Sequence, residues 1–196
     1  VADTFGPQQD RPQLPDLSED IRRRLAGIRM LLLDLDGVLT DGTIYLDDKG
    51  VEAKRFCVRD GFGLLWCKRF GLKTGVISGR PSKASLLRCQ DLKFDEIHLG
   101  SIEKLPIFRT ICQKRDLSPE ETAYMGDDLL DLPLLERVGL AACPADAQPE
   151  VKQRAHFISN FPGGHGAVRE LIDHWLRVTD HWEECLKIIY GLGSAG

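Results

Sequence analysis

The chain has 196 residues with 42% hydrophobic and 29% charged content, which fits one globular domain of ordinary size, with or without a tail. A chain of this length buries roughly 70% of its unfolded surface, so neither disulfides nor a structural metal is needed to hold it. The net charge of −4 offers no attraction to nucleic acid or to an anionic membrane, so a phosphorylated ligand would need a local positive site. Six cysteines (Cys57, Cys67, Cys89, Cys112, Cys143, Cys185) include no C-x-x-C pair and read as reduced thiols. The longest apolar run is the length of a strand, and the first residues show neither a basic nor an apolar leader pattern. The expected compartment is the cytoplasm.

Residues 1–17, with Pro7, Pro12 and Pro15, predict a flexible lead-in. Ser18 then caps a short helix with Ile21 and Leu25 on one face. Met30-Leu31-Leu32-Leu33 is continuously apolar, as expected of a strand covered on both sides. Segments 43–46 and 51–58 flank the turn-rich Asp47-Asp48-Lys49-Gly50 and predict a β-hairpin. Asp60 is the expected cap of a helix to about Phe70. Strand 72–77 and helix 81–90 follow, the latter with Pro81 in its first turn. Then come strand 96–99, helix 102–115, strand 122–125, helix 130–137 and strand 139–142. A helix near 147–154, a strand at 156–158 and helices near 166–177 and 180–189 complete the pattern.

This alternation predicts an α/β fold: a doubly wound, mainly parallel sheet with a hairpin insertion, forming one domain over 18–190. Gly191 to Gly196 spell G-x-G-x-x-G, but no strand precedes them and no helix follows, so they read as a flexible tail and not as a dinucleotide site. Ligands in such sheets bind at the carboxyl ends of strands. The chemistry-bearing residues should therefore lie where strands end.

Asp34-Leu35-Asp36-Gly37 leaves the first apolar strand directly, and packing does not explain two carboxylates there. Ser78-Gly79-Arg80 ends the strand 72–77, a weak signal by itself. Gly126-Asp127-Asp128 ends the strand 122–125, with Asp131 one turn further on. Helix capping accounts for one of these acids but not for three. Lys104 follows the strand 96–99. If these groups converge, each like-charged pair at ~5 Å costs about 3 kcal/mol at an effective dielectric of ~20. A divalent cation relieves that repulsion, and an all-oxygen ligand set selects a hard ion such as Mg²⁺. One carboxylate can attack phosphorus, and a second can protonate the leaving alkoxide and later deprotonate water. Ser78 and Lys104 would hold the non-bridging oxygens.

These motifs, in this order, resemble the haloacid dehalogenase superfamily from Met30 to about Glu170. The resemblance implies a phosphomonoesterase with Asp34 as nucleophile, Asp36 as general acid/base, and Ser78 and Lys104 as phosphate holders. It implies Mg²⁺ on Asp34, the carbonyl of Asp36 and Asp127, supported by Asp128 and Asp131. The interval from Asp34 to Ile77 holds only a hairpin and one helix, so no cap domain fits. Asp41-Gly42, the run Phe56 to Gly63 and the run Gly163 to Glu170 are similar to the capless sugar-phosphate branch. In that branch the hairpin helps build a homotetramer, a neighbouring subunit closes the site, and C-terminal tails can reach into it. The branch implies a sugar-acid phosphate as substrate, met by Arg59, Arg80 and Arg88. Arg80 suits an anionic sugar acid and points to 3-deoxy-D-manno-octulosonate 8-phosphate, in lipopolysaccharide precursor synthesis. One alternative is a sialic-acid-type 9-phosphate, whose phosphatases tend to carry Glu at that position. The other is a catalytically inactive oligomerisation module. His165 stands where many members carry Arg.

Overall fold

The computed structural model describes residues 16–193, so most of the expected lead-in and residues 194–196 lie outside it. Along the chain run α1 (Glu19–Gly27), β1 (Met30–Leu33), a hairpin of β2 (Tyr45–Leu46) and β3 (Glu52–Ala53), α2 (Val58–Arg69) and β4 (Lys73–Ser78). There follow α3 (Lys83–Asp91), β5 (Glu96–Leu99), α4 (Lys104–Arg115), β6 (Thr122–Met125), α5 (Leu132–Leu135) and β7 (Leu140–Cys143). The chain continues through α6 (Pro149–Lys152), β8 (Phe157–Ile158), α7 (Ala167–Val178) and α8 (Trp182–Gly193).

Six strands form a parallel sheet in the order β5-β4-β1-β6-β7-β8. The chain leaves β1 toward β4 and β5, then crosses back to lay β6 on the other side of β1. That reversal makes the carboxyl end of β1 the topological switch point, where a crevice opens. The predicted doubly wound α/β architecture is present, and only the hairpin and α2 occupy the interval between β1 and β4.

The apolar run at Met30 is continuous because both of its faces are covered. Leu31 and Leu33 join Val76, Ala123 and Met125 in a core completed by Leu25, Leu64 and Leu171 from α1, α2 and α7. Met30 and Leu32 face the other way, with Ile77 and Tyr124, onto Phe108, Ile111, Leu134 and Leu135 from α4 and α5. Alternate residues of one strand thus serve two separate cores.

Ser18 caps α1 as expected, accepting from the N–H of Ile21. Other boundaries differ from the sequence pattern: α3 begins at Lys83 behind its Ser82 cap, so Pro81 precedes the helix instead of lying in its first turn, and α4 begins at Lys104, not at 102. The hairpin strands are two residues each, not four and eight. α2 begins at Val58, so Asp60 is not its cap; its buried carboxylate accepts from the N–H of Arg169 (2.8 Å) in the first turn of α7. Gly166, which precedes α7, has no side chain with which to cap it, and Asp60 supplies the missing acceptor from across the fold. The segment 130–137 divides into a 3₁₀ turn (Leu129–Asp131) and the short α5. α8 continues through Gly191 to Gly193, into the stretch expected to be tail.

Leu33 is fully buried in the first of the two cores. Leu33→Ala is expected to lower stability by about 2–5 kcal/mol, seen as a lower urea midpoint with an unchanged slope.

Candidate active site

The carboxyl ends of β1, β4 and β6 and the start of α4 deliver the predicted residues to one place. Asp34 leaves β1 with its N–H on the carbonyl of Met125 (2.9 Å), so the strand pairing carries on into the loop. Lys104, the first residue of α4 and 3% exposed, lies 2.9 Å from Asp34 Oδ1 and donates to Asp131 Oδ1 (2.6 Å) and to the Tyr124 hydroxyl (3.1 Å). Tyr124 in turn donates to Asp131 Oδ1 (2.5 Å). The other oxygen of Asp131 accepts from the N–H groups of Asp127 (2.9 Å) and Asp128 (3.2 Å). Asp131 is therefore fully engaged in holding the loop 126–128 against β6.

Asp34, Asp127 and Asp131 each place a carboxylate oxygen within 4.8 Å of the others. Burial, then the charge of Asp131, pushes the Asp34 carboxyl up to about 7. Burial, then Asp34, Asp131 and Asp128, pushes Asp127 up to about 8. Burial opposes the charge on Lys104, but Asp34 and Asp131 outweigh it and raise its pKa. Burial and Asp131 push the Tyr124 phenol well above its usual range, which keeps it a donor.

Glycines make the close approach possible. Gly37 has φ +87°, and a Cβ there would lie 2.0 Å from Asp127 Oδ2. A Cβ at Gly163 would lie 1.7 Å from the Gly37 carbonyl oxygen, so the loop before α7 rests directly on the Asp34 to Gly37 loop.

The other predicted residues are each held by partners of their own, and the arginines make no contact with this group among the described residues. Ser78, buried at the end of β4, accepts from Gly100 N–H (2.9 Å) and Ser101 N–H (3.2 Å) through its carbonyl, tying down the loop that leads to Lys104. Asp36 accepts through both oxygens from Lys54 Nζ (2.6 and 2.8 Å). Arg80 donates twice to Glu52 Oε2 (2.6 and 3.2 Å), and the Ser82 hydroxyl and Arg80 hold the Glu52 carboxyl down to about 2. Arg59 donates to the carbonyl of His165 (2.9 Å). Arg88 pairs with Asp91 (2.7 Å) and lies over the Phe56 ring. Asp128 is exposed and caps the 3₁₀ turn through Leu129 N–H (2.7 Å).

Comparison with known proteins bears on the family. A haloacid dehalogenase-like hydrolase family model matches residues 91–171. The 3-deoxy-D-manno-octulosonate 8-phosphate phosphatase of Escherichia coli is 41% identical over 157 residues, covering 80% of this chain and 84% of its own. The chain belongs to the haloacid dehalogenase-like hydrolases. The crystal structure of the Yersinia pestis 3-deoxy-D-manno-octulosonate 8-phosphate phosphatase superposes with TM-score 0.83 at 38% identity, covering 84% of this chain and 89% of that one. The Moraxella catarrhalis enzyme, determined with magnesium ion, phosphate ion and KDO, superposes with TM-score 0.85 at 29% identity, covering 87% and 98%.

In this hydrolase the donor set fits a hard divalent ion. Asp127 Oδ1 is buried with no hydrogen-bond partner, beside two further carboxylates. An unsatisfied anionic oxygen in that position is costly, and all-oxygen anionic ligands suit Mg²⁺. Asp34 and Asp127 have oxygens available to it; those of Asp131 are already taken.

Sequence reading missed Lys54, Glu52 and Tyr124. Glu52 lies in the hairpin and Lys54 just past it, and only docking of the hairpin covers their side chains. Tyr124 reads as core, though a buried phenol needs a polar partner, which was the available signal.

The two raised carboxyls set the sign of the pH dependence. Their folded pKa values of about 7 and about 8 lie above the ordinary 3.8, so the folded state binds more protons and loses stability as pH rises between these limits. The metal-free protein is expected to show a falling thermal midpoint from about pH 5 to about pH 8, with Mg²⁺ raising it most at the upper end. Asp127→Asn should flatten that slope and remove the Mg²⁺ effect, both read by scanning fluorimetry.

Proposed function

We propose that this chain hydrolyses 3-deoxy-D-manno-octulosonate 8-phosphate to the free sugar acid and inorganic phosphate, with magnesium as cofactor. The observation that carries the reading is the buried Asp34 carboxylate beside Lys104 and the unpartnered Asp127 oxygen. The 41% identity to a phosphatase of that substrate and the magnesium, phosphate and KDO of the Moraxella complex support it. These relatives favour the eight-carbon acid over the nine-carbon alternative. The reaction would belong to lipopolysaccharide precursor synthesis.

In the first step an Asp34 oxygen forms a bond to phosphorus while the bond from phosphorus to the C8 oxygen breaks, and that oxygen takes a proton from the Asp36 carboxyl. In the second, water attacks the aspartyl-phosphate phosphorus and gives its proton to Asp36, which frees phosphate and restores the Asp34 carboxylate. Lys104 and Ser78 hold the non-bridging oxygens throughout. Asp34, Asp127 and the Asp36 carbonyl would hold Mg²⁺, with Asp128 in support and Asp131 supporting through the 126–128 loop it ties down, and the ion would supply positive charge against the crowded carboxylates and the phosphate. Arg80, with Arg59 and Arg88, meets the sugar acid.

The assembly in this reading is a homotetramer whose neighbouring subunit closes the site. Exposed apolar side chains support it: Tyr45, Leu46 and Val51 on the hairpin, and Val58, Phe62 and Leu65 spaced along α2. The proposed compartment is the cytoplasm; among the described residues no helix is long and apolar enough to cross a membrane.

The purified protein should release phosphate from the 8-phosphate with Mg²⁺, stop on chelation and recover when the ion is restored. Asp34→Asn should lower turnover by about 1,000-fold or more. Arg80→Glu should shift preference away from the eight-carbon acid in a direct comparison with a 9-phosphate. Turnover that survives both chelation and Asp34→Asn would overturn the mechanism. Val58→Asp with Phe62→Asp should convert a tetramer to smaller species in sedimentation velocity and raise KM.

A further inference from the structure

Residues two apart on a strand point to the same side. On the second hairpin strand and just beyond it, those residues are Glu52 and Lys54, and both point inward: their side chains are 16% and 0% exposed. Lys54 Nζ donates to both oxygens of Asp36, at 2.6 and 2.8 Å, and lies 3.4 Å from Glu52 Oε1. Glu52 is itself fixed by the Ser82 hydroxyl (2.6 Å) and by Arg80. Among the described residues, Lys54 supplies the only hydrogen bonds to the Asp36 side chain. An ammonium buried this completely needs such partners, so the pairing is a built feature and not a chance surface contact.

We propose that Lys54 is a positioning residue: by gripping both oxygens of the Asp36 carboxylate it fixes where that group stands, the contact to one oxygen opens when that oxygen carries the proton for the leaving group of the substrate, and Glu52 holds Lys54 in register. The three donors of the ammonium decide against a direct phosphate contact. Two go to Asp36 and the third faces Glu52, which leaves none for the substrate. The hairpin thereby reaches the chemistry itself, through a side chain that no neighbouring subunit needs to supply. The inference rests on the role proposed above for Asp36.

The test compares two esters on the full-length, Mg²⁺-loaded enzyme. The sugar 8-phosphate leaves as an alkoxide and needs the proton; p-nitrophenyl phosphate leaves as a stable phenolate and needs it far less. Lys54→Met should lower kcat on the sugar phosphate by about 100-fold, with KM within about 3-fold and a roughly 10-fold smaller loss on the aryl ester. Lys54→Arg, which keeps the buried charge and moves the donors, is the second variant should Lys54→Met fail to fold. It should show a weaker loss with the same dependence on leaving group. Lys54→Met should add little in an Asp36→Asn background. A raised KM with kcat preserved, equal losses on both esters, or additive losses with Asp36→Asn would overturn the proposal. If Asp36→Asn alone shows no leaving-group dependence, the role of Asp36 fails first, and the two failures stay distinct.

Discussion

The crowding of Asp34, Asp127 and Asp131 against a single buried ammonium governs the geometry around it. Three carboxylates within 4.8 Å of one another repel, and burial sharpens the repulsion because little water is present to screen it. Lys104 offsets part of that charge, and Tyr124 together with two backbone N–H groups satisfies Asp131. What remains uncompensated is concentrated on Asp34 and on the bare oxygen of Asp127. A site that concentrates charge in this way is arranged for a cation and for a phosphoryl group bound beside it.

The sheet explains why the crowding is sustainable. β1 is central, buried on both faces and flanked by β4 and β6, so the loops that leave these three strands start from fixed points a strand spacing apart. Glycine then removes the side chains that would keep the loops apart. At Gly126 a Cβ would lie 2.4 Å from Asp131 Cγ, and at Gly37 it would enter the Asp127 carboxylate. The hairpin occupies the interval where a cap could have been; Glu52 and Lys54 turn inward while Tyr45, Leu46 and Val51 turn out. Those two faces meet different needs, with Lys54 and Glu52 toward the site and Tyr45, Leu46 and Val51 toward solvent or a second copy.

Much of this was legible in the chain itself. Met30 to Leu33 and Thr122 to Met125 read as buried strands because they are apolar runs of strand length, and they are strands over those residues. Asp34, Asp36, Asp127 and Asp128 were visible because acids just after buried strands have no packing explanation. Asp60 was misread for a physical reason: an acid near a helix start looks like that helix's cap, yet it caps α7, more than a hundred residues away. The segment after Asp128 reads as one helix, but Asp131 is drawn into the site by Lys104 and Tyr124, and the first turn tightens into 3₁₀ form.

Local pattern therefore determined the elements, their order and the acids at the strand ends, since hydrophobic periodicity and strand termination are properties of neighbouring residues. The tertiary structure alone decided which charges meet. Nothing near Lys54 in sequence indicates that it chelates Asp36, that Glu52 holds Arg80, or that Asp131 has no oxygen left for a metal. Those pairings depend on how the hairpin docks and on where α4 begins relative to β6. They arise between segments far apart in the chain, where burial makes an unpaired charge too costly to leave alone.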